Sequence, residues 1–147
     1  MPAGTKYLIE EGMLGDTLIN KDMDDDGIPD HYCFSVTNLF LHSVHPLSWF
    51  KKISIVVDHE PVDSRDVFFV IRGQWINIDK MKTINEIYWT IAEEAEICIS
   101  MKGGINPGKH KIQFSLVTSS FTDTRFLDLK GLWNDRNCIL EKEMKTE

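Results

Sequence analysis

The chain has 147 residues, with 23 acidic and 16 basic side chains, a formal net charge of −7, and 42% hydrophobic and 27% charged content. That length supports one sizeable core, and the composition argues against wholesale disorder. The acidic balance argues against a nucleic acid or an anionic membrane as partner, because phosphate recognition draws on a basic surface.

In chain order, residues 1–12 read as an N-terminal arm. MPAGTKYLIEEG lacks the apolar stretch of a secretion signal, and no apolar run approaches the roughly 18 residues that span a bilayer. A cytoplasmic protein is expected. A first strand over Leu14–Ile19 and a second over Tyr32–Val36 flank the acidic turn NKDMDDDGIPDHY. LFLHSVHPLSWF follows without clean alternation. In KKISIVVD, Ile53, Ile55 and Val57 share one face. VDHEPV makes a tight hairpin, with His59 where positive φ is wanted. DVFFVIR is nearly continuous in apolar residues and reads as a strand buried on both faces. DKMKTINE suits a short helix or turn, and IYWTI supplies another strand. AEICISM alternates Ile97, Ile99 and Met101 against Glu96, Cys98 and Ser100. KGGINPGKH breaks the chain before KHKIQFSLVTSS, where Ile112, Phe114 and Leu116 point inward. Strands at this spacing without a long amphipathic helix predict an all-β fold, an antiparallel β-sandwich of about eight strands with little helix. The sandwich is expected over 13–122. From Asp123 alternation lapses until RNCILE, which predicts a partly irregular C-terminal extension over 123–147, with one added strand and a fraying charged end.

The acidic turn carries the most specific spacing. Asp22, Asp24, Asp26 and Asp30 fall at positions 1, 3, 5 and 9 of a calcium loop, Gly27 at the sharp turn, and Ile28 where a backbone carbonyl ligates. Position 12, normally a bidentate glutamate, is Cys33, a poor calcium ligand, and both flanks read as strands rather than helices. Two readings stay open: a loop holding a structural calcium, or a solvated turn in which Asp, Gly and Pro serve the backbone.

Other reactive residues are sparse. His42 and His45 stand three apart near Trp49 but have no third ligand at matching spacing. His110 opens a strand after Pro107-Gly108 and reads as a turn histidine. Four tryptophans could stack on sugar rings, but tryptophan in a small β domain more often fills a core or an interface. Cys33, Cys98 and Cys138 are odd in number and far apart, which predicts small core residues of a reducing compartment rather than a disulfide framework or a zinc cluster.

Over about Leu14–Ser120 the order of features resembles the small β subunit of bacterial C-glycoside deglycosidases. The resemblance rests on ISIVVDHEPV, DVFFVIRGQWINIDKM and IYWTIAEEAEICISMKGGINPGKHKIQFSLV. Val57, Asp58 and Val62 fit its first element, Trp89, Ala95 and Ile97 its middle, and Gly103, Gly104, Ile105, Gly108 and His110 its last. His59 stands where the family usually has glycine, and LFLHSVHPLS replaces an aromatic-Arg-Gly step; the acidic loop is an elaboration of this sequence.

The resemblance implies an accessory subunit of a carbon–carbon lyase. Its substrate would be a 3-oxo aryl C-glucoside, cleaved by β-elimination in a TIM-barrel α subunit that holds a divalent metal, manganese or similar, and the catalytic base. No catalytic residue is expected here. A docking patch is expected among Phe40, Leu41, His42, His45, Leu47, Trp49 and Phe50, with Phe121, Phe126 and Trp133 near the tail, unless these fill the chain's own core. The rival reading is a free-standing, calcium-stabilised sandwich that binds carbohydrate through exposed tryptophans.

Overall fold

The computed structural model describes residues 13–38, 44–90, 92–120 and 134–147. Eleven strands run in order: β1 Thr17–Lys21, β2 His31–Thr37, β3 Val44–Pro46, β4 Phe50–Val57, β5 Glu60–Pro61, β6 Val67–Ile71, β7 Gln74–Asn77, β8 Tyr88–Thr90, β9 Glu94–Ser100, β10 Lys109–Ser120 and β11 Asn134–Thr146. Among the described residues, helix is confined to 3₁₀ turns at Leu47–Trp49, Ser64–Asp66 and Ile78–Thr83. None of these helices is long and apolar enough to cross a membrane.

The fold is all-β, as alternation predicts, but hydrogen bonding joins nine strands into one curled sheet forming a half-barrel, in the order β5-β4-β10-β11-β1-β2-β9-β6-β7; β3 and β8 pair separately. The two layers of the expected sandwich are thus two halves of a single sheet. The corner between them is β1. Thr17 and Leu18 run parallel to Lys145 and Thr146 of β11, whereas Ile19, Asn20 and Lys21 pair antiparallel with β2. A strand that changes partner partway along lets a sheet bend over its own core. Alternation reports which face is buried, not whether two half-sheets share a strand.

In the C-terminal segment the added strand is β11, which is thirteen residues long, pairs with β10 along its length, and lies between β10 and β1 in the middle of the sheet; the stretch expected to be irregular, up to residue 133, lies outside the described residues. Leu140 and Met144 point into the core. Even the last residue is tied down, Glu147 N–H donating to the Leu18 carbonyl at 3.0 Å.

The concave face holds one core. Phe34 of β2 meets Phe114 of β10 edge-on at 6.5 Å, which spans the two halves, and Trp89 packs against Phe50 and Phe69 at 5.3 and 5.0 Å. Each buried aromatic of this kind stabilises by roughly 3–5 kcal/mol relative to alanine. Ile53, Ile55 and Val57, and Ile112, Phe114 and Leu116, are buried as their alternation requires. Met101, expected to continue the inward row of β9, lies past the strand's end and is exposed.

A second, smaller cluster on the convex face contains Cys33, Cys98 and Val70, with Phe68 and Trp75 against it. Cys33 and Cys98 are register partners across β2 and β9, Cα to Cα 4.2 Å, and are joined as a disulfide. This corrects the expectation of separate free cysteines. Residues 65 apart in sequence become neighbours only through strand pairing.

Candidate functional site

The sequence features of interest converge at one end of the sheet, where the β1–β2 loop meets the β9–β10 loop. The acidic loop is built from its own carboxylates. Asp22 accepts from the Gly27 N–H at 2.7 Å and the Asp26 N–H at 3.3 Å; Asp26 accepts from the Ile28 N–H at 2.8 Å. Asp30 accepts from the Met23 N–H at 3.0–3.1 Å and the Asp24 N–H at 3.2 Å. Gly27 takes φ +87°, a conformation that favours glycine, and Asp25 also turns left-handed at +61°. These are the local backbone roles that Asp and Gly fill in turns.

The same folding gathers charge. One carboxylate oxygen each from Asp22, Asp24 and Asp30 lies within 4.8 Å of the others. Of the ligands read from spacing, these three come together; Asp26 lies outside the group, and Ile28 exposes its side chain. The electrostatics diverge within the group. Contact with the Asp22 carboxyl, then desolvation and the Asp26 charge, pushes Asp24 up to about 6. Desolvation pushes Asp22 upward too, but the Gly27 N–H and its other donors outweigh this and leave it below the usual carboxylate range. Asp30 is held low chiefly by His31, whose Nδ1 lies 2.5 Å from its Oδ1. The His31 ring also meets Phe68 and Trp75 edge-on at 6.1 and 5.1 Å.

The neighbouring loop, 101–108, is fastened to the acidic one. Met101 N–H donates to the Asp30 carbonyl at 2.9 Å and Gly103 N–H to the Pro29 carbonyl at 2.8 Å. Asn20 closes a two-way latch on Ile105, accepting from its N–H at 2.8 Å and donating to its carbonyl at 3.1 Å. Gly104 sits at φ +73°, and a Cβ there would stand 2.5 Å from Asn20 Oδ1, so glycine is required twice over. Sequence reading missed this latch, because Asn20 resembles any polar residue before a turn.

On the far side of the 101–108 loop, His110 Nδ1 lies 2.5 Å from Asp58 Oδ2 and its Nε2 lies 2.7 Å from the Asn106 carbonyl, while Lys111 N–H donates to Asp58 Oδ1 at 2.9 Å. Burial works to lower the His110 pKa, but its two acceptors overcome this and raise it; the same contact lowers Asp58. Asp58 and His59, at φ +50° and +70°, form the two-residue hairpin turn between β4 and β5. The Val-Asp turn and the Gly-x-His step, 52 residues apart, are therefore two halves of one brace.

The expected docking candidates divide. Phe40, Leu41 and His42 lie outside the described residues, as do Phe121, Phe126 and Trp133. His45 belongs to β3, opposite Trp89 of β8, and Trp49 to the first 3₁₀ turn. Leu47 and Phe50 are buried in the chain's own core, 0% and 2% exposed. Trp89 is also buried, its indole N–H donating to the Glu93 carbonyl at 2.8 Å.

These features define a curled all-β domain whose motif residues brace turns around one loop-rich end. Residues 17–120 match the family of C-glycoside deglycosidase beta subunits, and the chain belongs to that family. No curated protein matches it.

Proposed function

We propose that this chain is the non-catalytic β subunit of a C-glycoside-cleaving lyase, working in an obligate complex with a metal-dependent TIM-barrel α subunit. The family match over residues 17–120 carries the reading, since a β subunit has a companion. The brace supports it: Asp58 and His110 hold turns in place, and both ring nitrogens of His110 are turned to that task.

The reaction proposed for the complex is a β-elimination on a 3-oxo aryl C-glucoside. The ketone acidifies the adjacent C2 proton, which a base of the α subunit removes. The C1–C2 double bond forms as the C1–aryl bond breaks, and the electron-rich aryl carbon takes up a proton. A divalent metal of the α subunit, manganese or similar, would stabilise the enolate. The β subunit would contribute cover and rigidity.

The acidic loop is read separately as a structural calcium site, on the spacing of Asp22, Asp24 and Asp30 and the gathering of their oxygens. The buried Trp89 counts against the rival carbohydrate-binding module, whose stacking platform needs exposed rings.

Co-expression tests the main reading. The two subunits are expected to co-purify stoichiometrically and to release aglycone from a 3-oxo aryl C-glucoside only together, with loss of turnover after metal removal from the complex. Turnover by the present chain alone, or full activity of the α subunit without it, would overturn it.

A further inference from the structure

A cavity of about 410 Å³ opens along the outer edge of β4, between the exit of the β4–β5 hairpin at Pro61 and Val62 and the 3₁₀ turns Ser64–Asp66 and Ile78–Thr83. That volume lies in the range of small-molecule sites, roughly 300–1,000 Å³. Neither the acidic loop nor the Asp58–His110 brace lines it. Its floor is a strand edge without a partner. Val57 and Glu60 close the two-residue hairpin, and Val62 N–H donates to the Ile55 carbonyl at 2.9 Å, so alternate residues of β4 turn their main-chain groups away from β10. Ile53 is the next of them, but β5 ends at Pro61 and the chain leaves into the Ser64–Asp66 turn. The Ile53 side chain is packed in the core at 7% exposed, which leaves its N–H and carbonyl to face the cavity, with no partner strand on that side among the described residues.

Two ammonium groups share this space. Lys52 of β4 and Lys82 of the Ile78–Thr83 turn both line the cavity. Lys21, Lys109, Lys111 and Lys142 are each ion-paired to a carboxylate, whereas among the described residues Lys52 and Lys82 are not. The carboxylate that the lining does carry, Asp79, accepts from the Ser64 hydroxyl at 2.8 Å. Two unpaired cations against one aspartate give the cavity a positive balance in a chain of net charge −7, and so favour an anion. Val56, Val62 and Ile78 add apolar surface, which an inorganic anion would not use. The walls are fixed before any ligand arrives. Asn77 Nδ2 donates to the carbonyls of Ser64, Arg65 and Val67, each at 3.1 Å, and its Oδ1 accepts from the Asp79 N–H at 3.0 Å, which ties the two turns together.

We propose that this cavity binds a small organic carboxylate, its head group held by Lys52 and Lys82 with the Ile53 N–H as a third donor, and its apolar body against Val62 and Ile78. Ammonium and edge N–H donors suit a carboxylate, whose two oxygens accept several hydrogen bonds at once. The proposal stands apart from the subunit reading and adds a ligand site that the reading does not require.

The test titrates the full-length, isotope-labelled chain with benzoate and with hexanoate, a ring and a chain on the same head group, and follows the backbone amides by NMR. Saturable binding is expected with a dissociation constant on the order of 1 mM, and with shifts centred on Ile53, Val62 and Lys82. Benzamide, the same ring without the charge, is expected to bind about tenfold more weakly or worse, and inorganic phosphate at equal concentration to leave benzoate bound. Lys52→Gln combined with Lys82→Gln removes two exposed charges, so the thermal midpoint is expected to match the parent while benzoate affinity falls about tenfold or more. Lys102→Gln, exposed on the 101–108 loop, is expected to leave affinity unchanged. Binding of neither acid, benzamide binding as well as benzoate, displacement by phosphate, or full affinity in the double variant would each overturn the proposal, as would saturable shifts confined to another part of the sheet.

Discussion

Asp58 and Asp24 stand on either side of the 101–108 loop, and they have opposite electrostatic outcomes. Asp58 faces a histidine and a backbone N–H, and its pKa falls while that of His110 rises. Asp24 faces another carboxyl, and its pKa rises to about 6. Residue type is the same and both groups sit in turns, so the neighbours that tertiary structure supplies decide whether an aspartate braces the fold or strains against it. The first arrangement is complete within the chain. The second is an excess of negative charge that a cation would relieve.

The largest disruption is expected where both regions are joined. Gly104→Ala forces a side chain into a left-handed backbone and into Asn20, displacing the latch; it should destabilise by about 3 kcal/mol or more, read by urea denaturation. Asn20→Ala leaves that backbone intact but frees the Ile105 N–H and carbonyl, and should lower stability by about 2 kcal/mol in the same assay. Equal tolerance of both substitutions would show that the two loops are not coupled through this contact.

A smaller effect is expected at the brace, and it depends on pH. Asp58→Ala should cost about 1 kcal/mol at its maximum. Because the Asp58 pKa is depressed from 3.8, its contribution is present above that value and lost as pH falls through the folded pKa. Because the His110 pKa is raised from 6.5, its contribution is full below 6.5 and lost as pH rises through the folded pKa. The difference between parent and variant should therefore be greatest between about pH 4 and 6.5, and the His110 ring should titrate at lower pH in the variant, which NMR can follow. A difference that is flat from pH 4 to 9 would remove the brace from the account.

The smallest effects belong to the exposed acidic loop. With a chelator present, Asp24→Asn removes a carboxylate that opposes Asp22 and Asp26, and the thermal midpoint should rise slightly. With calcium present the parent chain should gain stability and the variant should gain less. A parent chain indifferent to calcium would mark the loop as a solvated turn.

Much of the local structure was legible. The acidic turn, the VDHEPV hairpin with His59 at positive φ, the short 3₁₀ turn in DKMKTINE and the burial of Ile53, Ile55 and Val57 all follow from turn chemistry and two-residue periodicity. Spacing named Asp22, Asp24, Asp26 and Asp30; the fold gathers oxygens of Asp22, Asp24 and Asp30, and the Asp26 carboxylate accepts from the Ile28 N–H. The Asn20 latch was invisible, since its partner lies 85 residues away and nothing in either segment marks the pair.

Sequence alone determined which segments extend, where the chain turns and which face of each strand is apolar, because those depend on side-chain type at separations of a few residues. Tertiary structure decided that β11 runs through the middle of the sheet, that β1 changes partner to curl it, and that Cys33 meets Cys98 and Asp58 meets His110. Strand order depends on which buried faces satisfy one another across the whole core. That is a property of all the contacts together, and no short stretch of residues carries it.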